Sequence, residues 1–112
     1  MSDTVILITR NGMGHAETTL AQKLVGSYLD LLELDDRLPD AICFYAEGVH
    51  LTCEGSPVLD SLADLAARGV RLLVCGTCLN FYDLEAKLAV GEASNMREIQ
   101  AAQWQAAKVI SL

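Results

Sequence analysis

The stretch Val70-Arg71-Leu72-Leu73-Val74-Cys75-Gly76-Thr77-Cys78 carries most of what the sequence says about the fold. Val70–Val74, a short apolar run interrupted only by Arg71, reads as the third strand. Gly76 allows the chain to turn directly after it, and the segment from Cys75 reads as the start of a short helix. Upstream, Ser56-Pro57 has the form of a helix start, with Ser56 as N-cap and Pro57 at the first helical position. Val58, Leu62, Leu65 and Ala66 share one face of that helix. Arg68-Gly69 ends it with a basic last turn and a glycine stop. The order helix, strand, helix is the repeating unit of an α/β fold.

The same alternation extends outward in both directions. Thr4–Thr9 (T-V-I-L-I-T) is a β-branched run suited to a buried strand, and Asn11-Gly12-Met13-Gly14 breaks it. From about His15 to Leu34 the pattern is helical. Ala16, Leu20, Leu24, Tyr28 and Leu31 form one stripe, widened by Leu29 and Leu32, that is expected to face the core. Ala41–Tyr45 is a second strand, followed by Glu47-Gly48 and a segment of undefined state to Cys53. After the C-x-x-C a short helix is expected, then another over Leu84–Leu88, and a short fourth strand beginning near Ala89-Val90. Asn95-x-x-Glu98 resembles a capping box and starts a helix over Met96–Ala106. Lys108–Leu112 is the last strand. Alternating strands and helices predict a mostly parallel sheet with helices on both faces. Ligands in such sheets sit beyond the C-terminal strand ends, which brings Asn11–His15, Tyr45–His50 and Cys75–Cys78 towards one another.

Composition narrows the function. The chain has 112 residues, about one domain's worth, so residues 1–112 are expected to form a single domain. Apolar residues make up 52% and charged residues 21%, which excludes a disordered chain. A small domain with so few charges has more apolar surface than a monomer easily covers, and this predicts a subunit interface; the competing reading is a well-covered monomer with Ala- and Leu-rich helices. The formal net charge of −7 argues against nucleic acid and anionic membranes as partners. Uncharged stretches run about a dozen residues, short of the ~20 that a membrane span needs. Met1-Ser2-Asp3-Thr4 lacks the basic start of a secretory signal, so the expected location is the cytoplasm.

The chemistry centres on Cys75 and Cys78. A thiolate is the reactive form of cysteine, and a helix start can lower a pKa near 8.5 into the ~3.5–7.5 range. Thiols at i and i+3 can close a disulfide, share a metal, or act as attacker and resolver; two buried, inert cysteines at a strand end are the bland alternative. One C-x-x-C supplies two of the four ligands of a zinc site. Cys43, Cys53, His15 and His50 show no ligand-pair spacing to supply the others, so no metal is assigned. Asn11–His15 lacks both the third glycine of a dinucleotide loop and the Lys of a P-loop, so no cofactor is assigned. A thioredoxin fold is disfavoured because the motif comes late and both prolines, Pro39 and Pro57, precede it. Glu47 and His50 lie where they could tune a thiol or simply be solvated. Cys43 reads as a small core residue, Cys53 as core or a third thiol, and Trp104 as packing.

Taken in order, V-I-L-I-T-R-N-G-M-G-H, F-Y-A-E-G-V-H-L, E-G-S-P-V-L-D-S-L, L-L-V-C-G-T-C-L-N-F-Y, L-A-V-G-E-A-S-N-M and A-K-V-I-S-L resemble the DsrE/DsrF-like family of small sulfur-relay proteins. Within it the chain most resembles the C-terminal domain of YedF-type proteins, which are sulfurtransferase-like and linked to selenium metabolism. The resemblance implies a three-layer α/β/α fold with a five-stranded, largely parallel sheet. It implies a homo-oligomer, a trimer or hexamer, and a small sulfur-carrier protein as donor or acceptor. The sulfur-accepting position after the third strand falls on Cys75, and Cys78 matches the second cysteine of members with C-x-x-C. YedF-type proteins usually carry an N-terminal sulfur-carrier domain with a C-P-x-P motif, whereas this chain starts at the first strand of the DsrE-like part. Either the carrier is a separate protein or the chain is an excised domain. Two further function classes remain beside a sulfur carrier: a dithiol redox module, and a non-enzymatic oligomeric binding protein.

Overall fold

Five strands form one sheet in the order β4-β3-β2-β1-β5, and every neighbouring pair is parallel. The computed structural model describes residues 3–112. The strands are β1 (Thr4–Ile8), β2 (Ala41–Phe44), β3 (Arg71–Cys75), β4 (Glu92–Ser94) and β5 (Lys108–Ser111). Between them lie α1 (Thr18–Leu34), α2 (Leu59–Ala67), α3 (Gly76–Phe81) and α4 (Met96–Gln105). Two 3-10 segments, Ala46–Thr52 and Glu85–Lys87, fill the connections after β2 and α3. This is the expected α/β architecture, with a sheet that is parallel throughout.

The three central strands are buried on both sides, as continuous apolar runs require. The register puts Ile6, Ile8, Ile42, Phe44, Leu72 and Val74 on one face, and Val5, Ala41, Cys43, Leu73 and Cys75 on the other. Right-handed crossovers from β1 through β4 carry α1, α2 and α3 over the first face. The return from β4 to β5 reverses direction and places α4 on the second face, where it packs against β3 and buries Ile99. The connections leaving β3 and β4 therefore diverge to opposite sides of the sheet. Such a divergence opens a crevice at the C-terminal strand ends, and Cys75 and Ser94 are paired there.

Several local expectations need correction. The buried face of α1 is Ala21, Val25 and Leu29, whereas Leu20, Leu24 and Leu31 of the expected core stripe are about half exposed. At 100° per residue the core-facing side is rotated by roughly 120° from the predicted one. Both sides are apolar, and periodicity does not choose between them. The helix begins at Thr18 rather than His15. Ser56 does not cap α2: it accepts the Val58 N–H in a turn just ahead of the helix, which begins at Leu59, and Ala66 is exposed. The strand expected at Ala89-Val90 begins at Glu92. Trp104, read as packing, is 83% exposed because α4 is the only helix on its face and turns this residue outward.

Other expectations hold. Gly69, at φ 99°, ends α2, with Val70 N–H donating to the Leu65 carbonyl. Asn95 caps α4 by accepting the Glu98 N–H at 2.9 Å. No helix among the described residues is long and apolar enough to cross a membrane.

Candidate functional site

The site is built where β3 ends and α3 begins. Cys75 is the last residue of β3 and is 2% exposed, closed in by the sheet and by the end of β4. Helix α3 starts with the next residue. Gly76 lies so close to the Ser94 carbonyl that a Cβ would come within 2.9 Å of its oxygen, so a side chain here would push the β3 and β4 ends apart. Cys78 follows in the first turn of α3 and is half-buried. All four cysteines are free thiols. Cys75 and Cys78 lie close enough to influence each other's protonation, so one sheltered and one more accessible thiol stand near each other.

A second element reaches this pair from the β2 end. Tyr45 N–H donates to the Ile8 carbonyl at 3.2 Å, tying the end of β2 to the end of β1. Ala46 then adopts φ 51°, in the left-handed region, which costs a non-glycine residue ~1–2 kcal/mol. Gly48 N–H returns to the Tyr45 carbonyl at 3.0 Å. The turn is pressed so tightly on the Ile8 carbonyl that a Cβ on residue 48 would overlap it. In this conformation the Ala46 N–H donates to Cys78 Sγ at 3.2 Å.

Burial pushes the Cys78 thiol up, its hydrogen bond with Cys75 adds to that rise, and the Ala46 amide pulls it back down. At Cys78 the helix start therefore brings no net lowering. Desolvation and the neighbouring sulfur outweigh the one amide donor, and α3 has only six residues. The net direction favours the protonated thiol in the free protein.

The other predicted residues have partners of their own. The His50 ring packs tilted against Tyr82, with ring centroids 4.6 Å apart, and Tyr82 meets Phe81 edge-on at 5.2 Å; the histidine braces the end of α3 against the 3-10 segment. Glu47 faces a polar cavity of about 460 Å³ shared with Arg10, Asn11, His15 and Thr18. The Asn11–His15 segment thus meets the 45–48 turn from its other side. Cys43 is fully buried on the α4 face, and burial raises its thiol to about 11. Cys53 is buried too, its Sγ donating to the Val49 carbonyl at 3.3 Å. A larger cavity, about 680 Å³, lies among Thr4, Tyr28, Leu32, Leu38 and Pro39, at the opposite ends of the strands. Among the described residues no three His, Cys, Asp or Glu side chains converge as a metal-binding group. Sequence reasoning missed Ala46. Its contribution is a backbone amide, which no side-chain pattern announces; the only trace is the glycine two residues later.

A family model, that of the DsrE/DsrF-like family, matches residues 4–112. The chain belongs to the DsrE/DsrF-like family. That family is associated with sulfur relay. The crystal structure of the YchN protein from E. coli superimposes with a TM-score of 0.72, at 17% identity and with 100% of each chain covered. MTH1491 from Methanobacterium thermoautotrophicum, described as a protein of unknown function, does so with a TM-score of 0.71, at 19% identity and 97% coverage of each chain. At these identities the likeness concerns the fold. No curated protein matches the chain in sequence.

Proposed function

We propose that this DsrE-like protein is a cytoplasmic sulfur-relay carrier that holds sulfane sulfur as a persulfide on Cys78, with Cys75 as the resolving thiol. One observation carries the assignment. Of the two neighbouring thiols, Cys78 is the more accessible and accepts an amide N–H, while Cys75 is buried at the strand end. This reading exchanges the roles that the family resemblance implied, in which Cys75 accepts the sulfur.

In the loading step Cys78 sulfur attacks the outer sulfur of a donor persulfide, R–S–SH. The S–S bond of the donor breaks, Cys78–S–SH forms, and the donor leaves as R–S⁻, which takes the proton that Cys78 lost. In the discharge step an acceptor thiolate attacks the outer sulfur and Cys78 leaves as thiolate. Alternatively Cys75 attacks the inner sulfur, closes the Cys75–Cys78 disulfide and expels HS⁻. The raised Cys78 thiol suits a carrier that reacts with a docked donor rather than with any disulfide it meets.

Intact-mass analysis after incubation with glutathione persulfide tests the assignment. The expected result is a gain of one sulfur that Cys78→Ser abolishes and Cys75→Ser preserves and prolongs. No gain, or an adduct surviving Cys78→Ser, would remove Cys78 from the role. The proximity of the two thiols at i and i+3 also favours a dithiol redox module; its mark is a reversible Cys75–Cys78 disulfide formed without sulfur uptake. The carrier reading includes a small sulfur-carrier protein as donor or acceptor and self-association as a trimer or hexamer. Exposed Leu20, Leu24, Leu31 and Leu34, which share one side of α1, support the self-association. Native mass spectrometry showing a monomer at micromolar concentration would count against it.

A further inference from the structure

We propose that the Tyr45–Gly48 turn is a built sulfur-anion cradle, in which the Ala46 N–H steers the Cys78 persulfide towards transfer and away from loss as hydrosulfide. Gly48 is its positioning residue. The inference rests on the reading of Cys78 as the sulfur-bearing thiol.

The turn has the marks of an enforced conformation. Left-handed backbone at a non-glycine residue persists where its surroundings over-determine it, and such residues cluster at functional sites. Ala46 is held there from both sides. Tyr45 is anchored to the Ile8 carbonyl, and Gly48 closes back on the Tyr45 carbonyl. The close fit over Ile8 leaves no room for a side chain at residue 48. The product of this arrangement is one N–H aimed at one sulfur, 3.2 Å away. Among the described residues no other backbone amide donates to a cysteine sulfur.

The consequence follows from where charge develops. When an acceptor thiolate takes the outer sulfur, the bond to Cys78 breaks and negative charge appears on Cys78 Sγ, the atom that the Ala46 N–H faces. When Cys75 attacks the inner sulfur, the charge leaves on HS⁻ and Cys78 sulfur stays neutral in the disulfide. A fixed donor at Cys78 Sγ therefore stabilises the transfer route and gives nothing comparable to the loss route. Cys75 would otherwise compete with the acceptor at every loading, because it neighbours Cys78 at the strand end.

The test replaces the Tyr45–Ala46 peptide by an ester in the full chain, removing the N–H and keeping the side chains; Gly48→Ala is the second variant. Two readouts are taken. The first is the pH profile of Cys78 alkylation by iodoacetamide, located by peptide mapping. The second is the ratio of sulfur passed to a small thiol acceptor to hydrosulfide released, after loading with glutathione persulfide. The ester is expected to move the alkylation inflection up by about one pH unit and to lower the transfer-to-loss ratio about tenfold. An unchanged inflection and an unchanged ratio in the ester would overturn the cradle while leaving the carrier intact. A shifted inflection in a protein that takes up no sulfur would overturn the carrier and its partition, and leave the amide–thiol contact standing.

Discussion

Leu29 and Leu31 are the same residue type, two positions apart on one helix, and the fold treats them oppositely. Leu29 is 1% exposed and Leu31 is 53% exposed. Truncating Leu29 to alanine removes a fully buried side chain and leaves a cavity against the sheet, at ~3 kcal/mol. Truncating Leu31 loses about half of a leucine's burial and opens no closed cavity, so the cost is ~1 kcal/mol. For a domain of this length each kcal/mol lowers Tm by ~4 °C, giving losses of ~12 °C and ~4 °C. Urea titrations at low micromolar protein, with m-values compared, give the two free energies directly. If the exposed leucines of α1 meet another subunit, the Leu31→Ala loss grows with protein concentration, whereas the Leu29→Ala increment stays constant. Equal, concentration-independent losses for the two variants would mean that α1 is not oriented as described.

Two further outcomes test the core and a helix cap. The fold keeps Cys43 protonated up to about 11 against an ordinary value of 9.0, so between those pH values the native state binds more protons than the unfolded chain. That stability is complete below pH 9 and falls as pH rises towards 11, by ~2–3 kcal/mol; Cys43→Ala should flatten this part of the alkaline denaturation curve, and an unchanged curve would argue against the burial. Asn95→Ala leaves the Glu98 N–H without its acceptor and should cost ~1 kcal/mol, read as a Tm loss of ~4 °C by circular dichroism; no loss would mean the cap contributes nothing.

The strands were legible because burial on both faces leaves a continuous apolar run, and the end of α2 and the start of α4 because glycine stops and asparagine caps are local chemistry. The position of C-x-x-C at a strand end was legible for the same reason. The orientation of α1 was not, since apolar residues cover more than half its circumference. Nor was the difference between Cys75 and Cys78, which depends on how β4 and the 45–48 turn close over them. His50, a plausible thiol neighbour by sequence distance, turns instead to Tyr82, a partner 32 positions away.

Local sequence by itself determined the alternation of strands and helices and the place of the dithiol, while the ordered set of segments along the chain indicated the family. The first two depend on residues within one or two turns of each other, where propensity, capping and periodicity act. Tertiary structure alone decided which leucines of α1 are covered and which sulfur is accessible. It also decided that a backbone amide 32 residues before Cys78 holds that sulfur. Those outcomes depend on contacts between distant segments. The tight passage of Gly48 over the Ile8 carbonyl sets the last of them, and a peptide N–H has the same chemistry in every sequence until the fold aims it.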